Sequence, residues 1–177
     1  MSAPRTAKAA RPPRGSRKVA EPHFLESNLS VREAVFADLD EVAALFDKHR
    51  QAQGQAGDVA AAQAFLRARF DHGESVIFVA QQAQRLLGFA QLYPSYSSTA
   101  LARVFVLNDL FVHEAGRRQG VASALLAAVE SHAWSHGAAR VTLNVARDNA
   151  AGQALYRARG WQQDAQFWMF HRFPDQS

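Results

Sequence analysis

The sequence predicts an α/β or α+β domain built around a mixed β-sheet. Three observations support this. The apolar fraction is 48% of 177 residues, which is ordinary for a globular chain with a sizeable core. Segments with strand and helix patterns alternate. A strand, a helix and another strand follow residue 102 with a connection long enough for a parallel crossover.

The first half of the chain predicts one strand, two helices and a hairpin. In order, these are a strand in "NLSVREAV" from Asn28, a helix opening at Asp38, a helix from about Asp58 to Phe70, and hairpin strands Ser75–Ala80 and Leu86–Tyr93. Pro94 is expected to end the second hairpin strand.

The second half begins with "ARVFVLNDLFV", which is β-branched and aromatic enough for a long strand. Its middle carries two polar residues, Asn108 and Asp109, which require an explanation. An apolar stripe from Val121 then predicts a helix that ends near Gly137. The remaining elements are a strand in "RVTLNV", a helix in "NAAGQALYRARG" and a terminal strand in "QFWMFHRF".

The positive charge of the chain is concentrated at its start. Residues 1–20 carry six basic residues and no acidic one, whereas residues 21–177 carry 14 basic and 16 acidic residues, a net charge of −2. We therefore predict a disordered basic tail over 1–27 and a folded domain over 28–177. Two less favoured alternatives are that the tail contacts nucleic acid or that it is an organelle transit segment.

Several function classes are disfavoured by composition. The chain has no cysteine, which excludes disulfides, thiolate metal sites and a cysteine nucleophile. No apolar run approaches the ~20 residues of a membrane span, and no apolar secretion signal is visible, so we expect a cytoplasmic protein without membrane contact. His132 and His136 have metal-ligand spacing but no third ligand nearby, so no metal is expected.

The stretch "AGRRQGVASALLAAVE", residues 115–130, places a basic, glycine-containing loop before a helix. Gly120 would bring unpaired backbone N–H groups to the positive end of the helix dipole, beside Arg117 and Arg118. Such an arrangement suits an anion, above all phosphate, although a solvated loop is the commoner alternative. The sequence has neither G-x-x-x-x-G-K-[ST] nor G-x-G-x-x-G.

Two blocks, "LNDLFVHEAGRRQGVASALLAAVE" and "VTLNVARDNAAGQALYRARGW", resemble the GCN5-related N-acetyltransferases (GNAT) in order and spacing. The loop from Arg117 to Ala122 matches the family's pyrophosphate loop, R/Q-x-x-G-x-G/A, and Asn149 and Tyr156 match its "N…A…LY" segment. The resemblance covers roughly Leu29 to Phe173. Within the family, "YPSYSS…VFVLNDLFV" is similar to the branch of polyamine and yeast histone-type acetyltransferases.

The resemblance implies a mostly antiparallel mixed sheet with a parallel, splayed strand pair and helices on both faces. It implies acetyl-CoA as co-substrate and a bulge at Asn108-Asp109 that opens the sheet for the pantetheine arm. Tyr156 would hydrogen-bond the departing sulfur. The implied cofactor-binding residues are Leu110, Phe111 and Val112 through their backbone, the loop residues Arg117, Arg118, Gln119, Gly120, Val121 and Ala122, and Asn149.

Acetyl transfer requires a neutral amine, yet an alkylammonium of pKa ~10.4 is only about one part in 2,500 deprotonated at pH 7, a deficit of roughly 4.6 kcal/mol. Asp109 is the only carboxylate on the predicted central strand and is the candidate base. Asn108 stands where the polyamine enzymes carry a glutamate. A buried structural role for Asp109 is the alternative.

Tyr93 and Tyr96 precede the central strand and could wall an acceptor pocket, although an ordinary polar loop is equally compatible. The favoured function is direct transfer of an acetyl group to a primary amine of a small molecule, through a ternary complex. Alternatives are a protein lysine or N-terminal amine as acceptor, and a non-catalytic acyl-CoA-binding module. We also expect a homodimer and consider nucleic acid an unlikely partner.

Overall fold

The computed structural model describes residues 29–174. The predicted basic tail, residues 1–27, lies outside the described residues and stays a prediction. Within the described range, no helix is long and apolar enough to cross a membrane.

The described residues form five strands and four helices, with two short 3₁₀ turns at Phe36–Asp38 and Glu114–Gly116. The strands are β1 (Ser30–Glu33), β2 (Val76–Gln82), β3 (Arg85–Ser97), β4 (Ala102–Val112) and β5 (Arg140–Thr142). The helices are α1 (Leu39–Ala52), α2 (Val59–Asp71), α3 (Val121–Ser135) and α4 (Ala150–Ala158). The sheet order is β1-β2-β3-β4-β5, antiparallel except for the parallel pair β4–β5.

Helices cover both faces of the sheet, so the predicted three-layer fold is confirmed. Apolar residues of α1 and α2 pack on one face around Phe89, and those of α3 pack on the other around Phe105. Both rings are almost completely buried. Because strand residues point alternately to the two faces, the central strands β2, β3 and β4 contribute side chains to both cores.

The loop between α1 and α2 is held by a buried carboxylate. Asp47 accepts hydrogen bonds from the Asp58 N–H at 2.9 Å and from Gln51 Nε2 at 2.7 Å, and pairs with Arg50. The backbone bond from Asp58, more than any other contact, holds the pKa of Asp47 below its usual value. Asp58 in turn caps α2 by accepting from the Ala61 N–H.

The prediction that Pro94 ends its strand is wrong, because β3 continues to Ser97 and Pro94 pairs with Phe105 of β4. At that point β3 has passed the end of β2, whose Val76 pairs with Leu92. A strand with a neighbour on one side only can accept a proline, since its missing N–H can face the open side.

The parallel pair β4–β5 separates early, as the family resemblance implies. Only three residue pairs join the two strands, ending at Val106 with Thr142. Beyond Val106, β4 continues to Val112 with β3 on one side and no strand on the other among the described residues.

Two of the predicted strands are wrong: one is shorter than predicted, and the other does not form. The segment "RVTLNV" forms a strand only over Arg140–Thr142, and residues 166–173 form none. Both segments have residue types favourable for β-structure, but a strand also requires a partner for its backbone groups. Neither residues 143–145 nor residues 166–173 pair with a strand of the described chain.

Candidate active site

A β-bulge in β4 brings Asn108 and Asp109 to the same side of the sheet. Gln91 of β3 pairs with Asp109, whereas the next residue, Leu92, pairs with Leu107, so Asn108 is the extra residue. Regular alternation would place the two neighbours on opposite faces. Instead, Asn108 Nδ2 donates a hydrogen bond to Asp109 Oδ2 at 3.0 Å, and the expected bulge is confirmed.

Asp109 is a buried carboxylate beneath α1. Burial raises its pKa, and the Asn108 hydrogen bond and the nearby His49 only partly offset this effect. His49 Nε2 lies 3.6 Å from Asp109 Oδ1, and its ring packs against Phe89 and Phe111. Burial lowers the pKa of His49, while the charge of Asp109 acts in the opposite direction. A poorly solvated carboxylate beside an imidazole can accept a proton more readily than a solvated one.

The same face of β3 carries Gln91 and Tyr93 next to this pair. Gln91 Nε2 donates to Ser75 Oγ at 2.8 Å, while its buried Oε1 has no hydrogen-bond partner in the described part of the chain. Tyr93 is half-buried, and burial first, then the charge of Asp109, raises the pKa of its hydroxyl. Asp109 therefore has polar neighbours on β3 and α1 within an otherwise apolar face of the sheet.

Tyr96 does not join this group. It lies three residues beyond Tyr93 on β3, and such spacing places the two side chains on opposite faces of the sheet. Its ring is 72% exposed and stacks with the Arg103 guanidinium at 5.2 Å. Of the two tyrosines expected at the acceptor pocket, the structure brings only Tyr93 to Asp109.

The open side of β4 presents free backbone groups. The His113 N–H donates to the Leu87 carbonyl at 2.8 Å. In an antiparallel pair, every second residue directs its backbone groups towards the partner strand, so His113, Phe111 and Asp109 face β3. The backbone groups of Leu110 and Val112 consequently point away from β3, where Arg117 Nε already reaches the Val112 carbonyl at 3.3 Å. Those of Phe111 point towards β3, and its ring contacts His49.

The basic loop ends at Gly120, the N-cap of α3, which adopts a left-handed conformation with φ of +79°. The Ala124 N–H donates to the Gly120 carbonyl, so the three preceding N–H groups of the helix have no acceptor within it. A Cβ at Gly120 would meet no protein atom within 4 Å, so the space before the helix is open.

The side chains of the basic loop differ in whether they contact the protein or remain exposed. Gln119 Nε2 donates to the Ala115 carbonyl at 2.7 Å, and Val121 is buried in the core, so both residues shape the loop. Ala122 is half-buried in the first turn of α3. Arg118 has a left-handed backbone with φ of +60° and an exposed side chain with no hydrogen bond or ion pair in the described chain. Its guanidinium is available to an anion.

Tyr156 packs on the opposite face of the sheet from Asp109, against the α3 core. Its ring lies 5.8 Å from that of Trp161, and burial raises the pKa of its hydroxyl, which has no hydrogen-bond partner in the described chain. Asn149 caps α4, since its Oδ1 accepts from the Gly152 N–H at 2.9 Å. The amide NH₂ of Asn149 is left to donate elsewhere.

Sequence reasoning missed His49 and Gln91. Gln91 could have been noticed as a polar residue within the apolar run "LLGFAQLY" of the predicted hairpin, because a polar side chain there needs a partner if it is buried. His49 stands near the end of an amphipathic helix and belongs to no motif, so only the packing of α1 on the sheet relates it to Asp109. No group of His, Asp or Glu side chains within residues 29–174 could hold a metal ion.

Comparison with known proteins agrees with this geometry. The model of the acetyltransferase (GNAT) family matches residues 40–161. The uncharacterised N-acetyltransferase YhfO of Bacillus subtilis is 37% identical over 139 residues, which cover 78% of this chain and 93% of the relative. The crystal structure of a probable acetyltransferase superposes with a TM-score of 0.79 at 36% identity, covering 84% of this chain and 99% of that chain.

A more distant structure shows the same fold. An aminoglycoside N-acetyltransferase in complex with CoA superposes with a TM-score of 0.71 at 19% identity, covering 82% of this chain and 95% of that chain. The match to the family model, the identity to relatives over most of their length and the shared fold show that the chain belongs to the GNAT family and is an N-acetyltransferase.

Proposed function

We propose that this protein transfers an acetyl group from acetyl-CoA directly to a primary amine of a small molecule, in a ternary complex. The observation that carries the proposal is the bulge at Asn108-Asp109. It holds the buried carboxylate of Asp109 in the part of β4 that has no strand on its other side in the described chain. The proposal also includes four expectations from the sequence: membership of the polyamine branch, a cytoplasmic location, a homodimer and no nucleic-acid partner.

The donor side of the site has the groups that a CoA ester requires. The free N–H groups at the start of α3, the open space at Gly120 and the unpaired Arg118 suit a pyrophosphate. The outward-facing backbone groups of Leu110 and Val112 suit the amides of pantetheine, and Asn149 retains its amide donor. Acetyl-CoA supplies a thioester as the acyl donor, and the aminoglycoside enzyme of the same fold was crystallised with CoA.

The acceptor side has a group that can take a proton from the amine. Asp109 attracts an ammonium and accepts its proton, directly or through water, because burial makes its ionised form less stable. Tyr156 lies on the other face of the sheet, and burial raises the pKa of its hydroxyl further above neutral pH, so it remains a hydrogen-bond donor. In this proposal its hydroxyl donates a hydrogen bond to the developing thiolate.

A small acceptor fits the burial of this site better than a folded protein does. Asp109, Gln91 and most of His49 are shielded by α1 and the sheet, and Tyr93 is half-buried. A protein lysine or N-terminal amine remains the competing acceptor.

The proposal is tested by measuring free-thiol release from acetyl-CoA with polyamines, monoamines, amino acids and lysine-containing peptides. We expect the highest kcat/KM with small cationic amines. Turnover confined to peptides or proteins would assign the alternative acceptor, and CoA binding without turnover of any amine would indicate a non-catalytic module.

Asn108→Glu is expected to increase the preference for polyamines over monoamines. The side chain at 108 is exposed beside Asp109, so a carboxylate there adds a second negative charge at the acceptor side. The measurement is the ratio of kcat/KM for a polyamine to that for a monoamine. An unchanged ratio would show that position 108 does not face the acceptor.

Gly120→Val is expected to weaken CoA binding at least tenfold. A β-branched residue is strained at φ of +79°, and its side chain would enter the open space before α3. Gly54→Val is the matched control, because Gly54 has φ of +85° and equally open surroundings, but lies in the α1–α2 loop. Calorimetry with CoA should show the loss only at Gly120, and equal affinities in both variants would remove the proposed anion site.

His49→Phe is expected to move the acid limb of the kcat/KM profile to higher pH. Protonated His49 favours ionised Asp109, so an uncharged ring raises the pKa of Asp109 and the base becomes active only at higher pH. Phenylalanine preserves the packing against Phe89 and Phe111. A profile identical to that of the unmodified protein would restrict His49 to packing.

A further inference from the structure

A cavity on the α3 face of the sheet takes no part in the acetyl-transfer site. Its volume is about 370 Å³, and its apolar lining residues are Val76, Pro94 and Phe105. His132, which also lines it, follows Gly120 by 12 positions on α3, or roughly 18 Å along the helix axis. The cavity therefore lies at the opposite end of α3 from the basic loop.

Two histidines of α3 form one wall of this cavity. His132 and His136 are one turn apart, and their ring centroids are separated by 4.1 Å. His132 is half-buried, and its ring meets Phe105 edge-on at a centroid distance of 5.4 Å. His136 Nδ1 donates to the His132 carbonyl at 2.8 Å, so Nε2 is the nitrogen that gains a second proton at lower pH. That Nε2 and both ring nitrogens of His132 have no hydrogen-bond partner within residues 29–174.

Arg103 of β4 adds a permanent positive charge to the cavity. Its guanidinium lies 5.9 Å from the centroid of the Phe105 ring and makes no hydrogen bond or ion pair with the described part of the chain. Burial lowers the pKa of His132, and the charges of His136 and Arg103 lower it further, whereas the charge of Glu33 acts in the opposite direction. Three basic side chains thus face the cavity, against the one exposed carboxylate of Glu33 in its lining.

We propose that this cavity binds a small organic carboxylate with a flat, apolar body. The planar guanidinium of Arg103 presents paired donors that match a carboxylate, and the protonated imidazoles of His132 and His136 add further donors. The apolar body packs against Phe105 and its apolar neighbours. A cavity of this size, with an apolar lining and a few converging polar groups, is typical of small-molecule sites.

The proposed ligand couples binding to pH. A bound anion stabilises positive charge on the two imidazoles, so protonated histidine favours binding and bound ligand favours protonation. Of the other elements that line the cavity, β1 contributes Glu33 and β4 contributes Arg103, and neither changes charge between pH 6 and pH 8. Affinity is therefore expected to rise as the pH falls through the range in which histidine titrates.

Calorimetry of the full chain with benzoate as the probe, in the presence of saturating CoA, tests the proposal. Benzoate is ionised at both pH 6 and pH 8, because a carboxylic acid has a pKa of about 4. We expect binding that is at least threefold tighter at pH 6, and much weaker binding of benzylamine, a cation of similar size. Affinity for benzoate that is independent of pH, absence of benzoate binding, or equal binding of benzylamine would overturn the proposal.

Arg103→Gln is expected to weaken benzoate binding at least tenfold, because it removes the permanent charge and the paired donors. Arg118→Gln is the matched control, since Arg118 is also an arginine without a partner in the described chain but belongs to the basic loop. It should bind benzoate like the unmodified protein. Loss of binding in Arg118→Gln with full binding in Arg103→Gln would assign benzoate to the acetyl-CoA site and overturn the proposal.

Nuclear magnetic resonance locates the ligand without requiring any variant to fold. We expect benzoate at pH 7 to move the Cε1–H signals of His132 and His136 towards their protonated positions. The signal of His113 should stay in place, because that residue lies at the end of β4, beside the basic loop. A shift of His113 with no change at His132 and His136 would overturn the assignment of the cavity.

Discussion

Asp109→Asn is expected to lower turnover by roughly 10²–10⁴-fold, the usual contribution of a positioned base. Asparagine has nearly the same shape and can still accept the hydrogen bond from Asn108 Nδ2, but it cannot take a proton from the amine. CoA affinity should change little, because the carboxylate lies on the α1 face of the sheet, which is the proposed acceptor side. Steady-state kinetics and calorimetry on the same preparation separate the two effects.

The same variant is expected to raise Tm at pH 7. Because burial raises the pKa of Asp109, the protonated form is favoured in the folded state, and the contribution of this group to stability falls as pH rises above the unfolded-state pKa. Asparagine removes the buried charge and with it this pH dependence.

Asp47→Asn is the matched control, because contacts led by the Asp58 N–H lower the pKa of that buried carboxylate and its charge therefore stabilises the fold. It should lower Tm at pH 7. A decrease of Tm in Asp109→Asn, or full activity with every accepted amine, would assign Asp109 a structural role and proton removal to another acceptor.

Tyr156→Phe is expected to lower turnover by about 10²–10³-fold, the effect of removing one donor that stabilises developing negative charge. The hydroxyl has no hydrogen-bond partner in the described chain, and phenylalanine keeps the ring contact with Trp161, so Tm should change little. Tyr96→Phe is the control, because that ring is exposed on the surface and its loss of a hydroxyl should leave turnover unchanged.

The response to pH distinguishes the two variants. Raising the pH increases the neutral fraction of the amine and should partly restore Asp109→Asn, since that variant lacks a proton acceptor. It should restore Tyr156→Phe less, because the missing hydroxyl acts on the sulfur side. Equal recovery of both variants would contradict the assignment of the two residues to opposite sides of the reaction.

Much of the fold could be predicted because its signals are local. The β-branched run from Ala102 to Val112 and the apolar stripe from Val121 correspond to β4 and α3, and the loop between them could be aligned with a family motif. Gly120 was recognisable for the same reason, since a glycine before a helical stripe indicates a backbone conformation that other residues avoid.

The sequence by itself determined the order of most elements and the family, and it identified the loop from Arg117 to Ala122 as a candidate anion site and Asn108-Asp109 as an unusual polar pair in a strand. Only the tertiary structure decided which residues surround that pair. His49 approaches Asp109 through the packing of α1, and Gln91 approaches it through the pairing of β3 with β4. These residues lie 60 and 18 positions from Asp109, and local patterns do not encode contacts at such separations. Tyr96 was separated from Tyr93 by strand alternation. The strand expected at residues 166–173 did not form, because β-propensity resides in the segment, whereas a strand exists only where another backbone supplies its hydrogen bonds.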